Sequence, residues 1–129
     1  MLDHIGFKVA DLARSRAFYE AALAPLGIGL VMEVTAEQTG AGAHLGFGAQ
    51  RKPFFWLGEE APALSGGLHV AFRTPDRATV DAFHRAALAA GGRDNGPPGL
   101  RPYYHPDYYG AFVLDPDGHN VEAVCHYPA

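Results

Sequence analysis

The stretch His4–Gly27, HIGFKVADLARSRAFYEAALAPLG, returns as His69–Gly92, HVAFRTPDRATVDAFHRAALAAGG, and that recurrence decides the fold. Aligned without a gap, 11 of the 24 positions are identical, running from His4/His69 through Phe7/Phe72, Asp11/Asp76 and Phe18/Phe83 to Gly27/Gly92. Five of the matches are alanine on alanine, so the histidine, phenylalanine and aspartate pairs carry the signal. Each copy reads as a short strand, a helix and a glycine stop. Asp11 and Asp76 suit helix N-caps, and the glycines suit the C-terminal ends. Leu12, Phe18, Ala22 and Leu26 recur at helical spacing and predict a buried stripe.

Shorter strand-like runs follow each helix. They are IGLVMEV, AHLGFG and PFFWLG in the first half, and a weak piece at GGRDN, then YGAFVL and NVEAVCH, in the second. Turn residues in AQRKP and DPDGH separate them. The expected architecture is therefore α+β. Two βαβββ units, residues 1–62 and 63–129, form one domain whose strands make a concave mixed/antiparallel sheet cup with helices outside. The segment NGPPGLRPYYHPDY breaks the repeat. Its prolines argue against regular structure, and its tyrosines predict an ordered loop over the concave face.

Composition narrows the function. A chain of 129 residues can bury roughly two-thirds of its unfolded surface. A net charge of −4 with scattered basic residues argues against nucleic acid or an anionic membrane as partner. No apolar run has the length of a membrane span. The opening MLDHIGFKV enters a strand pattern at once, with no room for a signal peptide, and the single cysteine, Cys125, fits a cytoplasmic setting. Cys125 itself reads as a small core residue.

Strand alternation then sorts the polar residues. Ile5, Phe7 and Val9 share one face, as do Val70 and Phe72, and Val121, Ala123 and Cys125. His4, His69 and Glu122 fall on the opposite faces. Two imidazoles at the same repeat position and one carboxylate form a facial set that holds a divalent ion while leaving positions for water and substrate. Iron, manganese, nickel and zinc all suit such ligands. His105, in the proline-rich loop, reads as a general acid or base, with Tyr104 and Tyr109 as hydrogen-bonding partners for substrate oxygens. Arg101 is a candidate for a substrate carboxylate or phosphate, and Trp56, with Phe54 or Phe55, reads as pocket wall or core, Trp56 and Phe55 being the substrate-binding candidates. His44, His84 and His126 read as structural.

The runs LDHIGFKVADLARSRAFYEAALAPLG, GLHVAFRT and YGAFVLDPDGHNVEAV resemble the vicinal oxygen chelate superfamily, which includes glyoxalase I, bleomycin-resistance proteins and extradiol dioxygenases. The resemblance implies metal ligands at His4, His69 and Glu122, a substrate with adjacent oxygens, and a homodimer. Two departures select among branches. Trp56 stands where glyoxalase I carries a further carboxylate, with Glu59 and Glu60 just beyond, and Phe112 stands where extradiol dioxygenases carry a tyrosine. The implied function is a divalent-metal-dependent small-molecule enzyme, lyase or isomerase. Ring-cleaving dioxygenase and metal-free sequestration of an antibiotic or other small molecule are the alternatives.

Overall fold

A computed structural model describes residues 1–40, 42–59, 63 and 65–129. Glu60 and the expected boundary near residue 62 lie outside these residues. The first unit runs β1 (Ile5–Lys8), α1 (Leu12–Leu23), a 3-10 turn (Ala24–Leu26), β2 (Gly29–Val34), a short α2 (Ala36–Thr39), β3 (His44–Ala49) and β4 (Lys52–Gly58). The second runs β5 (His69–Arg73), α3 (Arg77–Ala89), β6 (Arg93–Leu100), β7 (Tyr109–Leu114) and β8 (Asn120–Cys125). Strand order is β1-β4-β3-β2 in one sheet and β5-β8-β7-β6 in the other. The two sheets are topologically equivalent, as the repeat requires.

In each unit the first strand pairs parallel with the last, Gly6 opposite Trp56 and Ala71 opposite Glu122. A parallel pair needs a long crossover, which the helix supplies. Both helices begin as the sequence predicts, with Asp11 accepting from the Arg14 amide and Asp76 from the Thr79 amide. Gly27, at φ 74°, closes the first helical segment in the left-handed conformation that glycine adopts without strain. The unforeseen α2 is a single turn stabilised by a reciprocal Thr35/Gln38 capping box.

One contiguous core joins the units. Phe18, Tyr19, Ala22 and Leu23 of α1 and Val80, Phe83 and Ala87 of α3 are buried against Leu45, Phe47, Phe55, Leu57, Phe72, Val113, Val121 and Ala123. Phe55 meets Phe72 edge-on at 5.4 Å, tying sheet to sheet. Cys125 is buried in the same cluster, as expected. A polar joint reinforces the apolar one. The buried Tyr19 hydroxyl donates to Asp115 at 2.5 Å, while the amides of Asp117 and His119 donate to the other carboxylate oxygen at 2.9 Å. Asp115 is thus buried with its acceptors filled, the condition under which burial of a carboxylate is tolerated.

Two sequence expectations need correction. Gly96, Pro97, Pro98 and Gly99 lie inside a strand, β6, rather than in an irregular loop. The strand sits at a sheet edge and its register with β7 shifts twice, between Asp94 and Gly96 and again between Gly96 and Gly99. At an edge, and across bulges, a proline has no ladder bond to lose. Phe55 is the second correction. It is fully buried among Phe7, Tyr19, Phe47 and Phe72, on the helix side of β4, so it is a core residue and its neighbour Trp56 takes the open face.

The β3–β4 hairpin carries a local strain. Ala49 pairs with Lys52, and the two turn residues, Gln50 and Arg51, sit at φ 52° and 64°. Such a turn favours Asn-Gly. The double substitution Gln50→Asn/Arg51→Gly is expected to stabilise the protein by about 1 kcal/mol, seen as a higher urea midpoint with an unchanged slope.

Candidate functional site

Each sheet has its helix-covered face in the common core, so its other face is open. On the second sheet the open face is organised around Glu122. This side chain is 1% exposed although it points away from the apolar core. His69 Nε2 lies 2.9 Å from its Oε1, and the Tyr108 hydroxyl donates to Oε2. Gly110 on β7 leaves the space the carboxylate occupies. A Cβ there would stand 3.2 Å from Glu122 Oε2 and from the Tyr108 ring. Phe112, opposite Glu122 in the β7–β8 ladder, lies 6.2 Å from the His69 ring, and the Arg101 guanidinium sits 5.4 Å over Phe112.

Burial pushes the Tyr108 phenol well above its usual range, and the hydrogen bond and charge of Glu122 push it further in the same direction. The phenol is therefore a neutral donor at physiological pH. His69 differs from its partner in exposure, about half open to solvent where Glu122 is closed. The imidazole can thus meet a ligand arriving from solvent and the carboxylate only through the mouth of the site.

The proline-rich segment does reach this site, through Tyr108 rather than through Tyr104 or Tyr109. Its turns are closed by Arg101 N–H to Tyr108 O at 2.7 Å, Tyr104 N–H to Arg101 O and Tyr108 N–H to His105 O. Tyr108 is the tyrosine on Glu122. Tyr109, one residue on, faces the other side of β7. Its hydroxyl donates to Asp81 of α3 at 2.6 Å and Arg77 covers its ring, so it is turned away from Glu122. Tyr104 is exposed and packs between Tyr103 and Tyr108, each ring centroid at 4.7 Å. His105 Nδ1 accepts the Asp107 amide, which leaves Nε2 to donate to His126 Nδ1 at 2.9 Å. That pair packs edge-on against Tyr108 and supports it from behind. The strand period could have separated Tyr108 from Tyr109, had β7 been extended one residue upstream: adjacent residues take opposite faces. Arg101 is anchored by the Pro97 carbonyl at 2.7 Å.

His4 stands apart from this cluster. Its Nδ1 contacts Asp3 at 2.8 Å, and its ring borders a groove on the open face of the first sheet together with Trp56. Asp3 also takes Lys52 Nζ at 2.8 Å, and these two partners, Lys52 first, hold its carboxyl down to about 2. Among the described residues, no three His, Cys, Asp or Glu side chains converge to hold a metal ion. Among the described residues of one chain, two of the three donors of the two-imidazole, one-carboxylate set come together. His69 and Glu122 are together; His4 lies over the other sheet. His84 bonds Asp94 at 2.9 Å, and His119 is buried with Nδ1 facing the Leu68 amide, so both serve the frame.

Comparison with known proteins fits this architecture. The family model described as the Glyoxalase/Bleomycin resistance protein/Dioxygenase superfamily matches residues 1–123. The crystal structure of a glyoxalase/bleomycin resistance protein from Albidiferax ferrireducens T118 is 32% identical, superposes with a TM-score of 0.77 and is covered over 98% of both chains. A glyoxalase-related enzyme from Fulvimarina pelagi shares the fold at 19% identity and a TM-score of 0.70, with 97% of this chain and 87% of that chain covered. Glyoxalase I from Zea mays does so at 23% and 0.69, with 99% of this chain matched to 45% of that longer one. No curated protein matches the sequence. With two equivalent βαβββ sheets, an open face built on a buried glutamate and a family match over nearly its whole length, the chain belongs to the Glyoxalase/Bleomycin resistance protein/Dioxygenase superfamily.

Proposed function

We propose that the protein is a divalent-metal-dependent enzyme acting on a small molecule with adjacent oxygens, by lyase or isomerase chemistry. The observation that supports it is the pairing of His69 with the buried carboxylate of Glu122 on an open face. A buried carboxylate is costly unless a cation or hydrogen-bond donors meet it, and here an imidazole and a phenol do so beside solvent. Glu122 and His69 would hold the ion, with His4 as the remaining protein ligand. When bound, the ion supplies a Lewis acid for two neighbouring oxygens.

The chain's own residues perform the rest. Tyr108, kept protonated by burial and by Glu122, would turn its single O–H from the carboxylate to a substrate oxygen as negative charge develops there. Phe112 and the Tyr104/Tyr108 pair flank the mouth and reduce water there. His105 and His126 hold the Tyr108 ring in place. Because Trp56 occupies the position equivalent to Glu122 in the first sheet, that sheet brings no second carboxylate of its own to this position.

The separation of His4 from Glu122 supports a site shared by two copies, in which the first sheet of one chain faces the second sheet of its partner. A two-fold dimer forms two such sites at once. Metal-free sequestration is the second reading, favoured by the Trp56 groove and by the gathering of only two donors among the described residues of a single chain.

Metal analysis of untagged protein separates these readings. A bound stoichiometric divalent ion lost in His69→Ala and in Glu122→Ala is expected; protein that stays metal-free after incubation with iron, manganese, nickel or zinc supports sequestration. Mixing His4→Ala with Glu122→Ala through unfolding and refolding should restore metal to about a quarter of the sites, since half of the dimers are mixed and each rebuilds one site. No restoration would place all ligands in one chain. Tyr108→Phe should remove one late-ionising phenol from an alkaline titration followed at 295 nm. The raised phenol makes the folded state hold its proton longer than the unfolded chain, so Tyr108 contributes stability that falls as pH rises above the unfolded tyrosine value of about 10.

A further inference from the structure

Arg101 follows β6 directly and is tied by its backbone to the turn that carries Tyr108. Its side chain turns back along the strand. Nη2 donates to the Pro97 carbonyl at 2.7 Å, and the guanidinium lies 5.4 Å over the Phe112 ring. Two glycines make room for it. A Cβ on Gly99 would stand 3.1 Å from Nη1, and one on Gly96 3.3 Å from Nη2 and 2.9 Å from Phe112 Cδ1. Gly96 is the ladder partner of Phe112, and Phe112 is the ladder partner of Glu122. Directly paired residues share a face, so the guanidinium rests on a ring of the same open face as Glu122. That ring also lies 6.2 Å from the His69 imidazole. An arginine held by a carbonyl and an aromatic face has already given up side-chain freedom that a ligand would otherwise have to freeze.

The charge so placed is not spent within the chain. Arg77, over the Tyr109 ring on the other face of β7, has Asp107 at 3.8 Å. Arg101 has no carboxylate within ion-pair distance among the described residues, and Pro97 O is its side chain's hydrogen-bond partner there. Nε and Nη1 take no partner among those residues, yet they are not sealed from water. Glu122 does not require this cation, since His69 and Tyr108 already meet its two oxygens. What remains is a positioned guanidinium with unused N–H groups beside the candidate metal ligands. Its planar fork matches the oxygens of a carboxylate or a phosphate.

We propose that Arg101 determines specificity at this site: the molecule handled by His69 and Glu122 carries a carboxylate or phosphate group, and the guanidinium receives it. The anionic oxygens accept from the N–H groups that the Pro97 carbonyl leaves unused. Phe112, lying against both Arg101 and His69, keeps the anionic group and the oxygens presented to His69 within one small molecule. That this molecule is a substrate rests on the function proposed above. Recognition of its anionic group by Arg101 does not, because it needs no metal ion.

The test is a titration of full-length, metal-free protein with inorganic phosphate, acetate and neutral acetamide at constant ionic strength, followed by NMR at the arginine Nε–H cross-peaks. The Arg101 peak is the one lost in Arg101→Lys. Saturable shifts are expected at Arg101 and in the Phe112 and His69 ring signals with phosphate or acetate, and none with acetamide. The tighter anion identifies the group. Arg14 and Arg85, exposed on α1 and α3, should not follow the same curve. Arg101→Lys keeps the charge and loses the fork, and should bind the anion roughly tenfold more weakly, read at the Phe112 ring. Gly99→Ala crowds Nη1 without removing charge and should weaken binding too. Should Arg101→Lys fail to fold, Gly99→Ala and the wild-type titration decide. An equal response at Arg14 and Arg85 overturns the proposal, as does an equal response to acetamide. A shift at Arg101 that leaves Phe112 and His69 unmoved overturns it as well, and so does wild-type affinity in folded Arg101→Lys or in Gly99→Ala. Anion binding that survives in Glu122→Ala while metal analysis of the native protein is negative leaves this inference standing and removes only the metal-dependent reading; normal metal content with no anion response removes only this inference.

Discussion

Each unit of this protein has four strands and one long helix, and one helix layer can cover only one side of a sheet. That constraint organises the rest. The covered faces, led by Phe55, Leu57, Phe72 and Val121, merge with α1 and α3 into a single core. On the other two faces, His69 and Glu122 project from the second sheet and Trp56 and His44 from the first, with Tyr108 in the turn beside the second. The parallel pairing of first and last strands supplies the positions. It sets Ala71 beside Glu122 and Gly6 beside Trp56, equivalent places in the two sheets with different occupants.

Divergence between the copies follows from those occupants. In the second sheet the central position carries a carboxylate, and its surroundings supply donors: an imidazole from β5 and a phenol from the turn before β7. In the first sheet it carries an indole, and its surroundings supply room, through glycines on either side. One face thus presents a paired carboxylate and the other an indole with open space beside it.

Much of the fold was legible in the sequence because the repeat placed strand, cap and helix twice in the same order. His4/His69 and Asp11/Asp76 marked the strand starts and the helix caps. Strand alternation put His69 and Glu122 on one face correctly, since period-two geometry is local. The same rule implied that Phe55 and Trp56 must part company, and burial sends Phe55 to the core. The NGPPGL segment misled because proline was read without its place in the sheet. At an inner position it would have broken a ladder, but at an edge with two register shifts it breaks none.

What the sequence by itself determined was the order of elements, the caps, the helix-facing stripe and the face on which each polar strand residue lies, all set by dihedral preferences and periodicities within a few residues. Tertiary structure alone decided which of the loop's tyrosines meets Glu122, that His105 spends its proton on His126, that Trp56 lies flat over Gly46, and that His4 stands over a different sheet from its repeat partner. Those outcomes depend on distances between segments many residues apart, fixed only when the two sheets dock through Phe55, Phe72, Tyr19 and Asp115. No local pattern encodes such distances, because they are a property of the packed core.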